Sequence, residues 1–415
     1  MAPSRRDFLG TGIASLAGAL VGCGREKTAR APRPAVAVPA LLSLPPALPA
    51  EVYPRRRARV AAKMREEGFD RLLVTPGSNL TYLTGALLGR SERLIALVME
   101  NDGACRCLGP AFEADRLAQA GLPGELKTWE EAEDPIPFLA ELLSGSGTSP
   151  RLAVEGTTWF DTLAPLARRL PSARIGSATP VLSAVRMKKE PDEIRLIQAA
   201  ARITLDAIHG TMEGAQAGQT EEELLAHAGQ IVAAAGATLD GMVQIGPNTA
   251  VPHAAAGRRK LRPSDVILFD LVAEVRGYHS DVSRSFAFGE PPPRFQEVYR
   301  AVREAQAEGF HALRAGVAAG SVDRAARVVL RRHGFGKFFT HRVGHGLGLE
   351  VHEPPYLVEG NGQTLEEGMT VTVEPGAYLP GEFGVRLEDD LAVTGAGAIL
   401  LSAATGLPGE SSQDF

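Results

Sequence analysis

The sequence predicts an α+β chain made of two unequal units, a smaller α/β unit over residues 52–185 and a larger mixed unit over residues 190–403. Three observations carry this. Strand-like and helix-like segments alternate between 52 and 185, which implies a mainly parallel sheet flanked by helices. A charged segment with an internal proline, Lys188-Lys189-Glu190-Pro191-Asp192-Glu193, then opens a long amphipathic helix, Ile194–Glu213. Beyond it, two β-rich runs meet at Arg276-Gly277 between helix-forming stretches. With 415 residues, 44% hydrophobic and 22% charged, the chain has material for two cores. Its formal charge of −5 gives no basis for a nucleic-acid partner.

The first fifty residues read as an address. Arg5-Arg6, followed by Phe8-Leu9 and a mildly apolar stretch too short to span a membrane, resembles a twin-arginine export signal. Leu20-Val21-Gly22-Cys23 resembles the lipobox of bacterial lipoproteins, with Cys23 as the acylated residue; the alternative is a chance cysteine beside an ordinary cleavage site. Residues 1–23 are therefore assigned as signal. Residues 24–51, with six prolines and little periodicity, are assigned as a stiff tether. The expectation is a periplasmic or cell-surface protein held on a membrane by its lipid.

In the first unit, Tyr53–Glu67 reads as a helix ending at Gly68. Strands are expected at Leu72–Thr75, Leu94–Met99, Ala104–Leu108 and Leu152–Val154, and helices at Phe112–Ala120, Ile136–Ser144 and Thr158–Leu170. Cys105 and Cys107 share a strand face and read as small buried hydrophobes. The scattered acids of this unit read as solvated surface. In the second unit, helices are expected at Glu221–Ala235, Arg294–Arg314 and Val322–His333, and His209 is read as structural.

The runs Val266–Val275 and Tyr278–Phe288 read as a hairpin with a two-residue loop, so that 275 opposes 278 and 272 opposes 281. Asp270 and Asp281 then share a face as diagonal neighbours, about 7–8 Å apart at most. Each alone could end a strand or face solvent. Together, in so apolar a run, two carboxylates repel unless a cation sits between them. Further candidates follow: His341, His345 and His352 in a Gly-rich loop, Glu374 at the end of Met369–Pro375, and Arg386 with Glu388 in Gly384–Asp390. Asp270, Asp281, His345, Glu374 and Glu388 make an oxygen-rich set. It suits Mn²⁺, with Co²⁺ or Zn²⁺ as the other candidates, better than it suits a tetrahedral structural zinc.

In order and spacing these residues resemble the metal ligands of the pita-bread metallopeptidases, the family of aminopeptidase P, prolidase and methionine aminopeptidase. The motifs are Asp270 with Asp281 eleven on, Gly-His345-Gly-Leu-Gly with His352 seven on, Val-Glu374-Pro-Gly, and Val-Arg386-Leu-Glu388-Asp-Asp. They span nearly all of 190–395. Residues 53–120, notably Asn79-Leu-Thr-Tyr-Leu-Thr-Gly85, resemble the creatinase-like N-terminal domain, which methionine aminopeptidases lack.

The resemblance implies a C-terminal pita-bread (creatinase/aminopeptidase) fold behind a smaller creatinase-like α/β domain. It also implies two divalent metal ions on the five ligands and hydrolysis of Xaa-Pro bonds in proline-containing peptides. By position, His253 and His352 are the substrate-side histidines, and His341 lines the site. Arg386 holds a ligand carboxylate, and Glu374 doubles as general base. A dimer or tetramer is implied as well. Val272 departs from the pattern, since many members carry glycine there, and it bears on substrate scope. The competing readings are a peptide- or protein-binding relative without catalysis and a metal-free creatinase-like hydrolase.

Overall fold

The computed structural model describes residues 44–144 and 149–403. The export signal, Cys23, most of the proline-rich stretch and the C-terminal tail lie outside the described residues. The end of that stretch does not stand clear of the body. Leu44 and Leu48 pack on the main apolar core, and Arg276 Nε donates to the Pro45 carbonyl at 2.9 Å. No helix among the described residues is long and apolar enough to cross a membrane.

The first unit is a six-stranded sheet. Across the sheet the strands are Glu125–Trp129, Cys105–Pro110, Ala96–Glu100, Arg71–Val74, Arg151–Val154 and Arg174–Ser177. Its flanking pairs are parallel, as expected, but the two central pairs are antiparallel. For one of the two the reason is local: Ala96–Glu100 and Cys105–Pro110 are joined by a tight turn with Gly103 at φ 95°, too short for the crossover that parallel pairing needs. The two edge strands were not expected from sequence, because their half-exposed residues carry no apolar period. Asn79-Leu-Thr-Tyr-Leu-Thr lies within a short helix, Ser78–Thr84, that buries Leu80, Tyr82 and Leu83. Cys107 is buried and Cys105 half-buried, and burial pushes their thiols up to about 12 and about 11.

The second unit opens with the helix Pro191–Glu213, capped by reciprocal bonds between Glu190 and Glu193. This helix and Glu221–Ala234 cover one face of the sheet Val282–Ala287, Val266–Val275, Thr238–Ile245. A second sheet runs Glu353–Leu357, Gly344–Gly346, Thr370–Val373, Asp389–Val393, Ala398–Leu400. It is backed by the helices Phe295–Ala312 and Ala319–Arg332. The hairpin register is the expected one: Val275 opposes Tyr278, and Ser283 opposes Asp270. Arg276 and Gly277 both take positive φ, 53° and 85°, the geometry a two-residue turn needs to follow the strand twist.

A buried ion cluster ties the two units together. Arg186, at the end of the helix Thr179–Arg186, pairs with Glu353 Oε2 at 2.5 Å and donates to Asn79 Oδ1 at 2.7 Å. Lys189 Nζ pairs with Glu353 Oε1 at 2.6 Å. Burial alone would raise the Glu353 carboxyl, but Lys189 and Arg186 outweigh it and hold the group below the ordinary carboxylate range. A carboxylate depressed in the folded state stabilises above its unfolded value, about 4.3, and this contribution is lost as pH falls through the folded value. Glu353→Gln removes the ion-pair partner of Lys189 and leaves Arg186 with Asn79 and a longer contact to Glu350, and is expected to cost about 3–5 kcal/mol in denaturant melts at pH 7. The wild-type advantage should shrink as the pH is lowered below about 4. A loss under 1 kcal/mol at pH 7 would show that the cluster is not what joins the units.

Candidate metal centre

The two sheets face a cleft of about 710 Å³ lined by Asp270, Asp281, His345, Glu374, Arg386 and Glu388, with His253, His341 and His352 on its walls. Asp270 projects from the middle of Val266–Val275, and Asp281 sits just past the turn of the same hairpin. Glu374 follows the last residue of Thr370–Val373. Glu388 lies between Phe383–Arg386 and Asp389–Val393. His345 occupies the centre of Gly344–Gly346, which is squeezed between two strands. A Cβ at Gly344 would lie 2.0 Å from the Thr372 carbonyl oxygen, and one at Gly346 2.3 Å from that of Pro354. Only glycine on both sides lets this strand approach closely enough to seat the imidazole.

The arrangement brings lone pairs together. His345 Nδ1 is 3.1 Å from the Gly346 carbonyl oxygen, a contact that puts the ring proton on Nδ1. Nε2 then faces Asp281 Oδ2 at 3.6 Å and Glu374 Oε1 at 3.4 Å with no proton to offer them. Burial, reinforced by His352, pushes the His345 ring down to about 3, so the ring is neutral.

The ligand atoms fall into overlapping triads, each within 4.8 Å: Asp270–Asp281–Glu388, His345–Glu374–Glu388 and Asp281–His345–His352. Glu388 belongs to both carboxylate-rich triads. Burial, then the neighbouring carboxylates, drives Asp281 and Glu388 well above the ordinary range. Burial likewise takes Glu374 up to about 7. The cup is short of positive charge, and its donors are those that hard or borderline divalent cations take. The residues present therefore fit such ions.

Four groups that sequence reasoning did not single out surround the cup. The Ser283 hydroxyl lies 3.0 Å from Asp270 Oδ1 and 2.6 Å from Glu388 Oε2, and it accepts from Arg386 Nε at 2.9 Å. Ser283 stands two residues after Asp281, on the same strand face, and that spacing is the signal that could have found it. Arg386 Nη2 donates to Asp270, the only one of the four carboxylates it hydrogen-bonds, and Nη1 donates to Tyr378 Oη at 2.8 Å. Tyr378 Oη in turn lies 2.8 Å from His341 Nε2, while His341 Nδ1 lies 2.7 Å from the Arg342 carbonyl. His341 thus lines the cleft with both ring nitrogens engaged within the protein. Burial and then Arg386 push it down to about 3. Asp390, raised by burial, accepts from the Asp281 backbone N–H. The fourth group, Arg342, lines the cleft and is half-buried.

His352 and His253 are exposed at the mouth, the His352 ring 4.3 Å from that of His345 and edge-on to it. Val272 lines the wall beside Met242 and is mostly buried.

The raised carboxyls fix how the metal-stripped protein responds to pH. A carboxyl raised in the folded state holds its proton there, so stability is greatest below the unfolded value and falls as pH rises through the folded one. Metal-stripped protein is expected to lose thermal stability between about pH 5 and pH 8, across the value of about 7 for Glu374. Added Mn²⁺ competes with these protons, so its stabilising shift should be larger at pH 8 than at pH 5. Equal shifts at both pH values, read by calorimetry, would contradict ionisable ligands in this cup.

Residues 195–395 match the model of metallopeptidase family M24, and residues 56–188 that of the creatinase/prolidase N-terminal domain. The chain is 37% identical over 357 residues to a probable dipeptidase PepE of Mycobacterium tuberculosis, covering 84% of this chain and 94% of that one. Among solved structures it is similar to a prolidase from Thermococcus sibiricus, with a TM-score of 0.81 and 35% identity over 85% of this chain and 97% of that one. It is also similar to dipeptidase PepE from Mycobacterium ulcerans, with a TM-score of 0.80 and 34% identity over 87% and 98%.

Proposed function

The chain belongs to metallopeptidase family M24, with a pita-bread catalytic domain behind a creatinase-type N-terminal domain, and from that premise we propose that it is an Xaa-Pro dipeptidase. Its cofactors would be two divalent ions, Mn²⁺ first, on Asp270, Asp281, His345, Glu374 and Glu388. The observation that supports this reading is the overlap of the three triads, in which Glu388 is the carboxylate common to the two carboxylate-rich ones and would be available to two cations. Bound there, the ions would acidify a water and neutralise the crowded carboxylates.

The chain's own residues supply the rest. Glu374, at the end of its strand and facing the cup, takes the proton of the attacking water and returns it to the departing prolyl nitrogen. His253 and His352, at the mouth, donate to the carbonyl oxygen as its charge develops. Arg386 and Ser283 fix the orientation of Asp270 and Glu388.

Two features favour dipeptides over longer peptides. The relatives named above are dipeptidases and a prolidase, and Val272 adds bulk to the wall of the cleft. Neither a binding-only relative nor a metal-free hydrolase accounts for a full set of five ligands in one cup. Export by the twin-arginine route, acylation at Cys23 and assembly as a dimer or tetramer complete the proposal. The first two rest on the sequence and the third on the family resemblance. The mass of the mature N-terminal peptide tests the lipid, and an unmodified Cys23 would overturn it.

Metal-stripped protein given Mn²⁺, Co²⁺ or Zn²⁺ is expected to hydrolyse Xaa-Pro dipeptides faster than Xaa-Pro-Yaa tripeptides. Glu374→Gln should lower kcat by about 100- to 10,000-fold. Metal-loaded protein that cleaves neither peptide would overturn the reading in favour of a binding-only relative.

A further inference from the structure

His253 reaches the mouth of the cleft on the segment 246–257, which leaves the strand Thr238–Ile245 through a 3₁₀ turn, Gly246–Ala250, and then runs on without regular structure. A segment of that kind carries backbone groups that no ladder satisfies. Here two fully buried side chains satisfy them. Glu221, the first residue of the helix Glu221–Ala234, grips the two roots. Its Oε1 accepts from the Ile245 N–H at 2.8 Å and from the Asn248 side-chain amide at 2.8 Å, and its Oε2 accepts from the Gly257 N–H at 2.8 Å. It has no ion pair among the described residues, so these three donors are what offset the burial of its carboxylate. Gln244 grips the middle. Its Nε2 lies 2.8 Å from the Val251 carbonyl and 2.8 Å from that of Ala254, and since both partners are acceptors only the amide nitrogen can face them. Those two residues flank Pro252 and His253. The Pro252 carbonyl accepts from Arg386 Nη1 at 3.3 Å, so the peptide before the histidine is tied to the same guanidinium that holds Asp270. The backbone around His253 is thus fixed from within the protein while the histidine itself stays exposed to the cleft.

We infer that Glu221 and Gln244 are positioning residues that set His253 against the metal cup. This rests on the peptidase reading above and deepens it, because a histidine that donates to a carbonyl oxygen as charge develops must be in place before the reaction begins. Neither residue lines the cleft, so each acts on the substrate only through the loop it holds. Gln244 stands two residues beyond Met242, which lines the cleft and pairs with Asp270 across the strands. From that place its amide reaches the loop rather than the cleft. A purely structural role has a different signature, a loss of activity that is the same whether or not His253 is present.

The test is a double-mutant cycle on the full Mn²⁺-loaded chain with an Xaa-Pro dipeptide: wild type, Gln244→Met, His253→Ala and the two substitutions combined. Methionine keeps roughly the volume of glutamine and removes both donors. Gln244→Met is expected to lower kcat by about 10- to 100-fold with KM nearly unchanged, and to leave Mn²⁺ affinity, read by calorimetry, as in wild type. In the His253→Ala background the same substitution should change kcat by less than about twofold, because the group it positions is gone. Glu221→Gln, which keeps one acceptor oxygen, goes through the same cycle and should show the same pattern with a smaller loss. Equal losses in both backgrounds, or a loss of Mn²⁺ affinity alongside that of kcat, would overturn the assignment. Backbone amide exchange over 246–257, read by mass spectrometry, needs no catalysis. It is expected to quicken by about 10-fold or more in Gln244→Met and Glu221→Gln, with the rest of the chain as in wild type. Exchange that is unchanged, or quickened evenly along the chain, would reject the clamp. If wild type cleaves no peptide, the peptidase reading fails by itself, and the exchange measurement then decides whether Glu221 and Gln244 hold the loop.

Discussion

Four carboxylates and an unprotonated imidazole nitrogen are gathered in one largely buried cup, and the catalytic half of the molecule is arranged around that repulsion. Three of the four acids are driven upward in pKa by burial. Arg386 hydrogen-bonds a single carboxylate of the cup, Asp270. Without bound cations such a cluster subtracts from stability. It persists because the sheets behind it are fixed elsewhere, by apolar cores on their helix-covered faces and by close strand contact at Gly344 and Gly346.

The support is layered. Ser283 bridges Asp270 and Glu388, Arg386 orders Ser283 and Tyr378, and Tyr378 engages His341. Farther out, Glu353, next to His352 in the chain, is pinned by Arg186 and Lys189 at the junction of the two units. The N-terminal unit therefore contributes no ligand yet helps fix the loop that carries a mouth histidine. Polar networks of this kind trade solvation for a single geometry, which a reaction at a fixed point requires.

The hairpin and its register were legible in sequence, because Arg276-Gly277 between two β-rich runs admits one short turn and the two-residue period then fixes which face each Asp occupies. The five candidate ligand positions were proposed from order and spacing, and the fold brings their side chains into overlapping triads. Other features were not legible. The edge strands Glu125–Trp129 and Arg174–Ser177 lack an apolar alternation. One of the two antiparallel pairs in the first sheet depends on a tight turn. Tyr378 and the grip of Glu221 and Gln244 on the His253 loop matter only through partners brought close by the fold, and no local pattern announces such partners.

The claim underneath all of this is that Glu388 is shared between two cations. Anomalous diffraction from crystals of the protein soaked in Mn²⁺ tests it most directly. The account predicts two peaks about 3.5–4 Å apart, one on each side of the Glu388 carboxylate. A cup that holds no manganese, or a single ion that leaves Glu388 uncoordinated, would contradict it.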